Sequence, residues 1–245
     1  MRTGSGGFSM KWQISDITAR ADALYAERAQ IENVRASVEL LERVAPNDAF
    51  EIAWRLGRAL FFLGQEEEQE DKARSLHARG ATACARAVRS NPLCVEGHFW
   101  LGVNLALQAQ TTRSLKALAL ALRAKRSLER AASINAAYHA AGPLRVLARL
   151  KHKLPRLFGG GHRRARADFA RAIELAPANT VTRLYFAEML LDAGDVLRAR
   201  SELEAVLYAP LDTAWMFETT RDRARAYRML QRLKARMKDE GGRMK

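Results

Sequence analysis

The chain has 245 residues, of which 48% are hydrophobic, and a formal net charge of +14. No run approaches the roughly 20 apolar residues of a membrane-spanning helix, and two cysteines provide neither a disulfide framework nor a metal site. The first eleven residues lack the apolar stretch of a secretory signal and a cysteine for lipid attachment. We therefore predict a cytoplasmic protein, or a periplasmic one if the true start lies upstream and encodes a signal.

Alanine, leucine, arginine and glutamate dominate the sequence, and no strand-length run alternates apolar and polar residues. A mobile tail is predicted over residues 1–10, one helical-repeat domain over 11–238 and a charged tail over 239–245. Pro46 should end the second helix, and Gly142-Pro143 should kink or restart the seventh. The predicted helices cover residues 14–28, 31–44, 50–63, 72–89, 95–108, 114–133, 136–150, 163–175, 180–193, 197–207 and 213–238.

Four of these helices repeat one pattern of a small residue, a medium apolar residue and a second small or medium apolar residue. Two of the four are followed by proline at the same offset, at Pro92 and Pro177. Repetition of helical character at this length indicates stacked hairpins. The repeated residues are Gly80, Cys84 and Ala87; Ala124, Leu128 and Ala131; Ala165, Phe169 and Ala172; and Ala199, Leu203 and Val206.

The first helices of three hairpins carry Leu56-Gly57, Leu101-Gly102 and Ala141-Gly142, where small residues allow two helices to approach closely. Together with the closing prolines, this pattern resembles the tetratricopeptide repeat. The resemblance implies an all-α, tetratricopeptide-like helical-hairpin solenoid of about five repeats plus a C-terminal helix. Stacked repeats of this kind build concave binding surfaces, so binding is expected rather than catalysis.

A narrower resemblance covers roughly residues 15–235. Segments 51–58 and 96–104 each contain a tryptophan close to a Leu-Gly pair, and Gly142-Pro143, Leu154-Pro155 and Phe158-Gly159-Gly160 follow in order. This order resembles the T component family of bacterial TRAP transporters, tetratricopeptide proteins that associate with periplasmic solute-binding proteins. It is also similar to the regulator of microtubule dynamics family, which shares the tryptophan and Leu-Gly segments. The first resemblance implies an accessory role beside a solute transporter.

The sequence contains no serine nucleophile elbow, no Cys–His pair with a catalytic signature and no metal-ligand spacing, so we predict a non-catalytic protein without cofactor or metal. The predicted function is a scaffold with a groove on its inner helix faces that binds a small ligand or a protein partner such as a solute-binding protein. The predicted groove residues are His98, Trp100, Asn104, His139, Arg145, Tyr185 and Glu188.

Between Arg113 and Arg166 the sequence has fourteen lysines and arginines and one acid, Glu129. Charge of this kind is most often a solvated set of helix faces. It also leaves open an alternative function, a cytoplasmic adaptor that docks acidic proteins or anionic surfaces. Aromatic residues are not interleaved with the bases, which disfavours nucleic acid, and the oligomeric state stays open. The predicted basic patch consists of Arg145, Arg149, Lys151, Lys153, Arg156, Arg163 and Arg164.

Overall fold

The computed structural model describes the backbone of residues 5–44, 49–113 and 115–243, and the side chains of residues 14–44, 49–113 and 115–235. Over these residues the chain is helical and has no strand, as predicted. It divides into two compact units, Met1–Asn135 and Ala136–Lys245, which we call unit 1 and unit 2. The α-helices of the described residues are α1 Ser5–Ala26, α2 Ile31–Val44, α3 Phe50–Glu66, α4 Glu70–Ser90, α5 Val95–Gln110, α6 Leu115–Ile134, α7 Tyr138–Lys153, α8 His162–Leu175, α9 Thr180–Asp192, α10 Val196–Tyr208 and α11 Met216–Arg243.

Unit 1 consists of the hairpins α1/α2, α3/α4 and α5/α6, in which successive helices pack against each other. Glycine sets how closely the paired helices approach. A Cβ atom built on Gly57 would lie 2.0 Å from Cys84 Sγ, and one built on Gly102 would lie 2.6 Å from Leu128 Cγ. Both contacts join a Leu-Gly pair to the medium apolar residue of the repeat pattern, so the predicted repeat register is confirmed in this unit.

Unit 2 consists of the hairpins α7/α8 and α9/α10, followed by α11, which packs against α9 and α10. Phe169 of α8 stacks on Phe186 of α9 with ring centroids 5.4 Å apart, and both side chains are buried. Leu203 and Val206 of α10 pack with Ala226 of α11. All twelve residues of the repeat pattern are buried across the two units, and the prediction of five hairpins plus a C-terminal helix is confirmed.

The ends of the predicted tails lie partly outside the described residues. Positions 1–4 and 244–245 are outside them, as is Pro46, whereas positions 5–10 and 239–243 belong to α1 and α11. The helix α3 continues to Glu66, three residues past its predicted end at residue 63, where we expected Gly64 to cap it. A glycine at a helix end is a preference rather than a stop signal, and Gly64 is instead buried against the ring of His77.

The seventh helix restarts close to its beginning, as the Gly142-Pro143 pair predicts. His139, Ala140 and Ala141 have left-handed backbone conformations, with φ values of 52°, 53° and 57°. The right-handed helix continues from Gly142, with Pro143 in its first turn, where the missing N–H of proline costs no hydrogen bond. Three consecutive left-handed residues without glycine cost roughly 1–2 kcal/mol each, so surrounding groups must stabilise this turn.

Candidate functional site

Two of the three predicted groove residues of unit 1 serve packing instead. Asn104 is fully buried and its Nδ2 donates to the carbonyl oxygens of Gly57, at 3.0 Å, and Trp100, at 2.9 Å. The space beside this amide exists because Gly80 has no side chain, since a Cβ there would lie 2.4 Å from Asn104 Oδ1. Trp100 is buried as well. The prediction that Asn104 and Trp100 line a groove is therefore wrong, because both are enclosed by neighbouring helices.

His98 is the half-exposed member of the predicted set in unit 1. Its Nε2 lies 3.0 Å from the carbonyl oxygen of Pro92, in the turn before its own helix. The hydroxyl of Ser127 donates to the backbone oxygen of His98 at 2.9 Å and so ties α6 to the start of α5. These contacts give His98 a local structural role, and its role in ligand binding stays a prediction.

Arg145 in unit 2 stabilises the left-handed turn from inside the unit. It is only 4% exposed, and its Nη1 donates to the carbonyl oxygens of Ala140, at 2.8 Å, and His139, at 3.4 Å. Nη1 also donates to Asn179 Oδ1 at 3.4 Å, and the guanidinium lies 5.5 Å from the ring centre of Trp215. Burial lowers the pKa of Arg145 to about 10, so the residue stays a cation at neutral pH.

The burial of Arg145 corrects two predictions at once. We expected this residue both in the partner groove and in the exposed basic patch, and the structure encloses it. His139, half-buried, lies beside it, with its ring 4.8 Å from Trp215 in an edge-on arrangement. Arg145 therefore supports the start of α7 from inside the unit, whereas a role for His139 in ligand binding stays a prediction.

Four residues on α7, α9 and α11 form a polar surface that we call the arginine–tyrosine face. The guanidinium of Arg149 lies 4.6 Å from the ring centre of Tyr185. Glu188, one turn further along α9, pairs with Arg149 of α7 and with Arg225 of α11. Arg225 is the exposed partner, with 47% of its side chain accessible. Two arginines thus surround one carboxylate here, and the role of Tyr185 and Glu188 in a ligand groove stays a prediction.

The remaining members of the predicted basic patch fall into two groups. Lys151 pairs with Asp168 at 2.7 Å and Lys153 with Asp192 at 3.1 Å, so α7 shares these charges with α8 and α9. The second group comprises three exposed arginines that have no ion-pair partner among the described residues. These are Arg156, Arg163 and Arg164. The exposed part of the predicted basic patch therefore consists of these three arginines and of Lys153, whose charge is partly balanced by Asp192.

Comparison with known families decides where this chain belongs. The family model of regulator of microtubule dynamics protein 1-3 matches residues 17–143, just over half of the chain. The chain belongs to the regulator of microtubule dynamics protein 1-3 family. The matched segment runs from α1 through α6 to the left-handed turn of α7. No curated protein sequence matches the chain significantly, and the T component resemblance is not supported.

A solved structure supports the fold of this regulator of microtubule dynamics family member. The crystal structure of a thermophilic TPR protein from Thermus thermophilus is similar to it with a TM-score of 0.63 and 18% sequence identity. The similarity covers 86% of this chain and 99% of that protein. At this identity the likeness shows the fold alone, and the all-α tetratricopeptide-like solenoid is confirmed.

Sequence reasoning missed a second arginine and aromatic cluster, which lies in unit 1 of this family member. Arg55 lies 4.2 Å from the ring centre of Trp54, and Arg58 lies 4.0 Å from that of Tyr25. Both arginines pair with Asp22 of α1, at 2.9 Å and 2.5 Å respectively. The sequence did contain a signal for this cluster, because two arginines three residues apart lie beside a tryptophan. It contained no such signal for Arg225 and Trp215 in unit 2, because the residues that they contact are distant in sequence.

Two further features bear on chemistry. Within the described part of the chain, no group of three or more His, Cys, Asp or Glu side chains is arranged to hold a metal ion, and no helix is long and apolar enough to cross a membrane. Cys84 and Cys94 are free thiols, and burial raises the pKa of Cys84 far above its usual range. Cys84 is therefore a packing residue between α3 and α4, as its contact with Gly57 also indicates.

Proposed function

We propose that this chain is a non-catalytic protein-interaction scaffold that binds a protein partner on the arginine–tyrosine face of unit 2. The family match and the tetratricopeptide-like fold support a scaffold, since helical repeats of this class present helix faces to partners. The single observation that carries the choice of this face is the sharing of Glu188 between Arg149 and Arg225.

Two cations around one carboxylate leave a net positive charge on the face. Glu188 is largely buried and Arg149 half-buried, with 14% and 22% of their side chains exposed. Arg149 and Glu188 are therefore held in place by their neighbours. Arg225 is more exposed, so it can leave Glu188 and remain hydrated while it binds a partner. A carboxylate of a partner would take a bidentate position on Arg225, the geometry that guanidinium groups favour. The partner that fits this face carries an acidic side chain.

Tyr185 supplies the apolar part of the contact. Its half-buried ring packs against the guanidinium of Arg149. A tyrosine ring adds contact area at a low cost in conformational entropy. Tyrosine and arginine are also the residues that most often contribute strongly to binding at protein interfaces. An acidic residue beside an aliphatic or aromatic one on the partner would match this pair.

The proposal is tested by a photo-reactive phenylalanine derivative placed at position 185 in cells. The matched control carries the same derivative at Tyr208, which is 83% exposed on α10 and lies outside the face. We expect a partner that crosslinks from position 185 and not from position 208, and that binds the purified protein directly.

The purified complex is then measured by calorimetry with Arg225→Glu and with Arg228→Glu, an exposed arginine on the same helix. We expect Arg225→Glu to weaken binding about tenfold and Arg228→Glu to have little effect, because only Arg225 would touch the partner's carboxylate. Equal effects of the two substitutions, or equal crosslinking at both positions, would contradict the proposal. The T component resemblance implied a transporter-associated role for the scaffold. None of the contacts described on this face favours that role.

A further inference from the structure

The connection between α7 and α8 combines exposed basic residues with an exposed leucine. We call residues 153–164 the basic loop. It contains Lys153, Arg156, Arg163 and Arg164 and no acidic residue. Leu157 is 87% exposed, the largest exposed fraction of any large hydrophobic side chain in the described residues. A single exposed leucine is common on protein surfaces, so the feature that distinguishes this loop is the combination of Leu157 with basic residues and no acidic one.

Hydrogen bonds within the loop hold Leu157 in this position. The N–H groups of Phe158 and Gly160 donate to the carbonyl oxygen of Pro155 at 3.0 and 3.1 Å, and that of Gly161 donates to Lys151 at 2.8 Å. A Cβ atom on Gly160 would lie 1.9 Å from the carbonyl oxygen of Leu154, so this close turn requires glycine. Leu157 is thus presented on a fixed tip and has not simply failed to find a place in the core.

The basic residues of the loop lie next to that tip and in the first turn of the helix that follows it. Arg156 precedes Leu157, and its side chain runs alongside Gly161, where a Cβ atom would meet Arg156 Cγ at 3.2 Å. Arg163 and Arg164 lie in the first turn of α8, where cations oppose the helix dipole and no acidic side chain offsets them. These positive charges therefore do not contribute to the stability of the fold.

We propose that the basic loop docks on an anionic phospholipid surface, with Leu157 inserted among the lipid chains and the arginines on the headgroups. Lysine and arginine near an anionic bilayer each contribute favourably to binding, and a leucine at the tip adds burial of apolar surface. Attraction of this kind depends on the anionic lipid content and weakens with salt. The proposal is independent of the arginine–tyrosine face.

A lipid surface fits these features better than an acidic protein does. Pro155, Arg156 and Leu157 are three consecutive exposed residues on a convex tip, whereas a stable protein interface needs about 800 Å² on each partner. Even a single myristoyl chain binds a bilayer only marginally, so one inserted leucine would need the cations of the loop to give even weak attachment. Weak, reversible attachment is accordingly what the loop predicts.

The test is co-sedimentation of the purified full chain with vesicles of phosphatidylcholine alone and with vesicles containing about one third phosphatidylserine. We expect binding to the anionic vesicles only, reduced at high salt. Leu157→Asp should weaken binding by roughly tenfold or more, because it removes the inserted side chain and adds a repelled charge. The matched control is Leu93→Asp, which changes another leucine in a turn between helices that is 71% exposed.

Charge reversal provides the second arm. Arg163→Glu with Arg164→Glu should weaken vesicle binding by an order of magnitude or more, and it places acids at a helix N-terminus, where they favour the fold. The control Arg126→Glu with Arg130→Glu makes the same change in net charge at exposed positions of α6. Absence of wild-type binding, equal binding to neutral vesicles, or equal losses in test and control variants would overturn the proposal. The proposal would also be overturned if the loop variants still bound vesicles but no longer bound an acidic protein partner.

Discussion

In each of the two units a buried polar side chain donates to two backbone carbonyl oxygens, and the two side chains compared differ in charge. In unit 1 the neutral amide of Asn104 bonds Gly57 and Trp100 and is fully enclosed. In unit 2 the cation Arg145 bonds Ala140 and His139 and lies over Trp215. The amide joins regular helices, whereas the guanidinium supports a stretch of irregular backbone.

The difference shows which side chain suits each kind of unpaired backbone, a contact between regular helices or an irregular turn. Two regular helices leave few backbone groups unpaired, so two amide protons suffice at a point that Gly80 keeps open. A left-handed turn exposes several carbonyl oxygens at once, and a guanidinium with five N–H groups can reach more than one of them. A buried polar residue in a helical repeat is therefore better explained by local backbone geometry than by ligand binding.

The largest effect should follow from Arg145→Met. This substitution removes the donors to the part-buried carbonyl oxygens of His139 and Ala140 and the support that they give to the turn, which should cost about 2–4 kcal/mol of unfolding free energy. Urea unfolding followed by circular dichroism measures the loss. The matched control is Arg149→Met, a change of the same type at a half-buried position, where Arg225 still pairs with Glu188 and we expect about 1 kcal/mol or less. Similar losses at both positions would show that Arg145 does not support the turn.

A smaller loss is expected from Asn104→Leu. Leucine has the same branched arrangement of heavy atoms but bulkier methyl groups, so the cost combines the two lost hydrogen bonds with some overpacking and should be about 1–3 kcal/mol. Gln110→Leu, at an exposed position of the same helix, serves as the control and should change stability by less than about 0.5 kcal/mol. If Asn104→Leu proves neutral, the amide is not needed between α3 and α5.

Ala140→Gly should stabilise the protein by about 1 kcal/mol, because glycine adopts a positive φ without the steric cost that alanine bears there. The control Ala119→Gly, at an exposed position in the right-handed helix α6, should instead destabilise by about 0.5–1 kcal/mol. Opposite signs in thermal or urea unfolding would confirm that residues 139–141 are left-handed in solution. Destabilisation by both substitutions would contradict the turn.

The smallest effect concerns pH and His77, which is buried beside Gly64 and close to Asn104. Burial lowers the pKa of His77, so the unfolded chain binds a proton first as the pH falls through about 6.5. Stability should therefore decline below that pH and level off below the folded pKa. His77→Gln should show a shallower decline between pH 7.5 and 5 in urea unfolding. An unchanged slope would mean that His77 is not enclosed.

Local pattern was enough to predict the repeat architecture. The small and medium apolar residues of the second helices, such as Cys84 and Leu128, are buried where predicted, because helical spacing alone determines which face they share. The Leu-Gly pairs likewise contact the predicted partner helices. These features depend on neighbours one or two helices away, which a periodic sequence makes visible.

The site was predicted only in part, because charge partners depend on tertiary contacts. Tyr185 and Glu188 were predicted on one face, but the pairing of Glu188 with Arg225 joins residues 37 positions apart. Nothing in the residues His139, Ala140 and Ala141 signals a left-handed turn, since glycine is the usual marker. Without that turn, a buried role for Arg145 could not be foreseen.

The left-handed turn of α7 also has a consequence for the order in which the chain acquires its structure. Its stabilising groups include Asn179 and Trp215, which the ribosome releases well after His139 and Arg145. The turn is unfavourable on its own, so it should become rigid only after these later segments dock. We expect its amide protons to gain protection from hydrogen exchange late in refolding, after those of the regular hairpins.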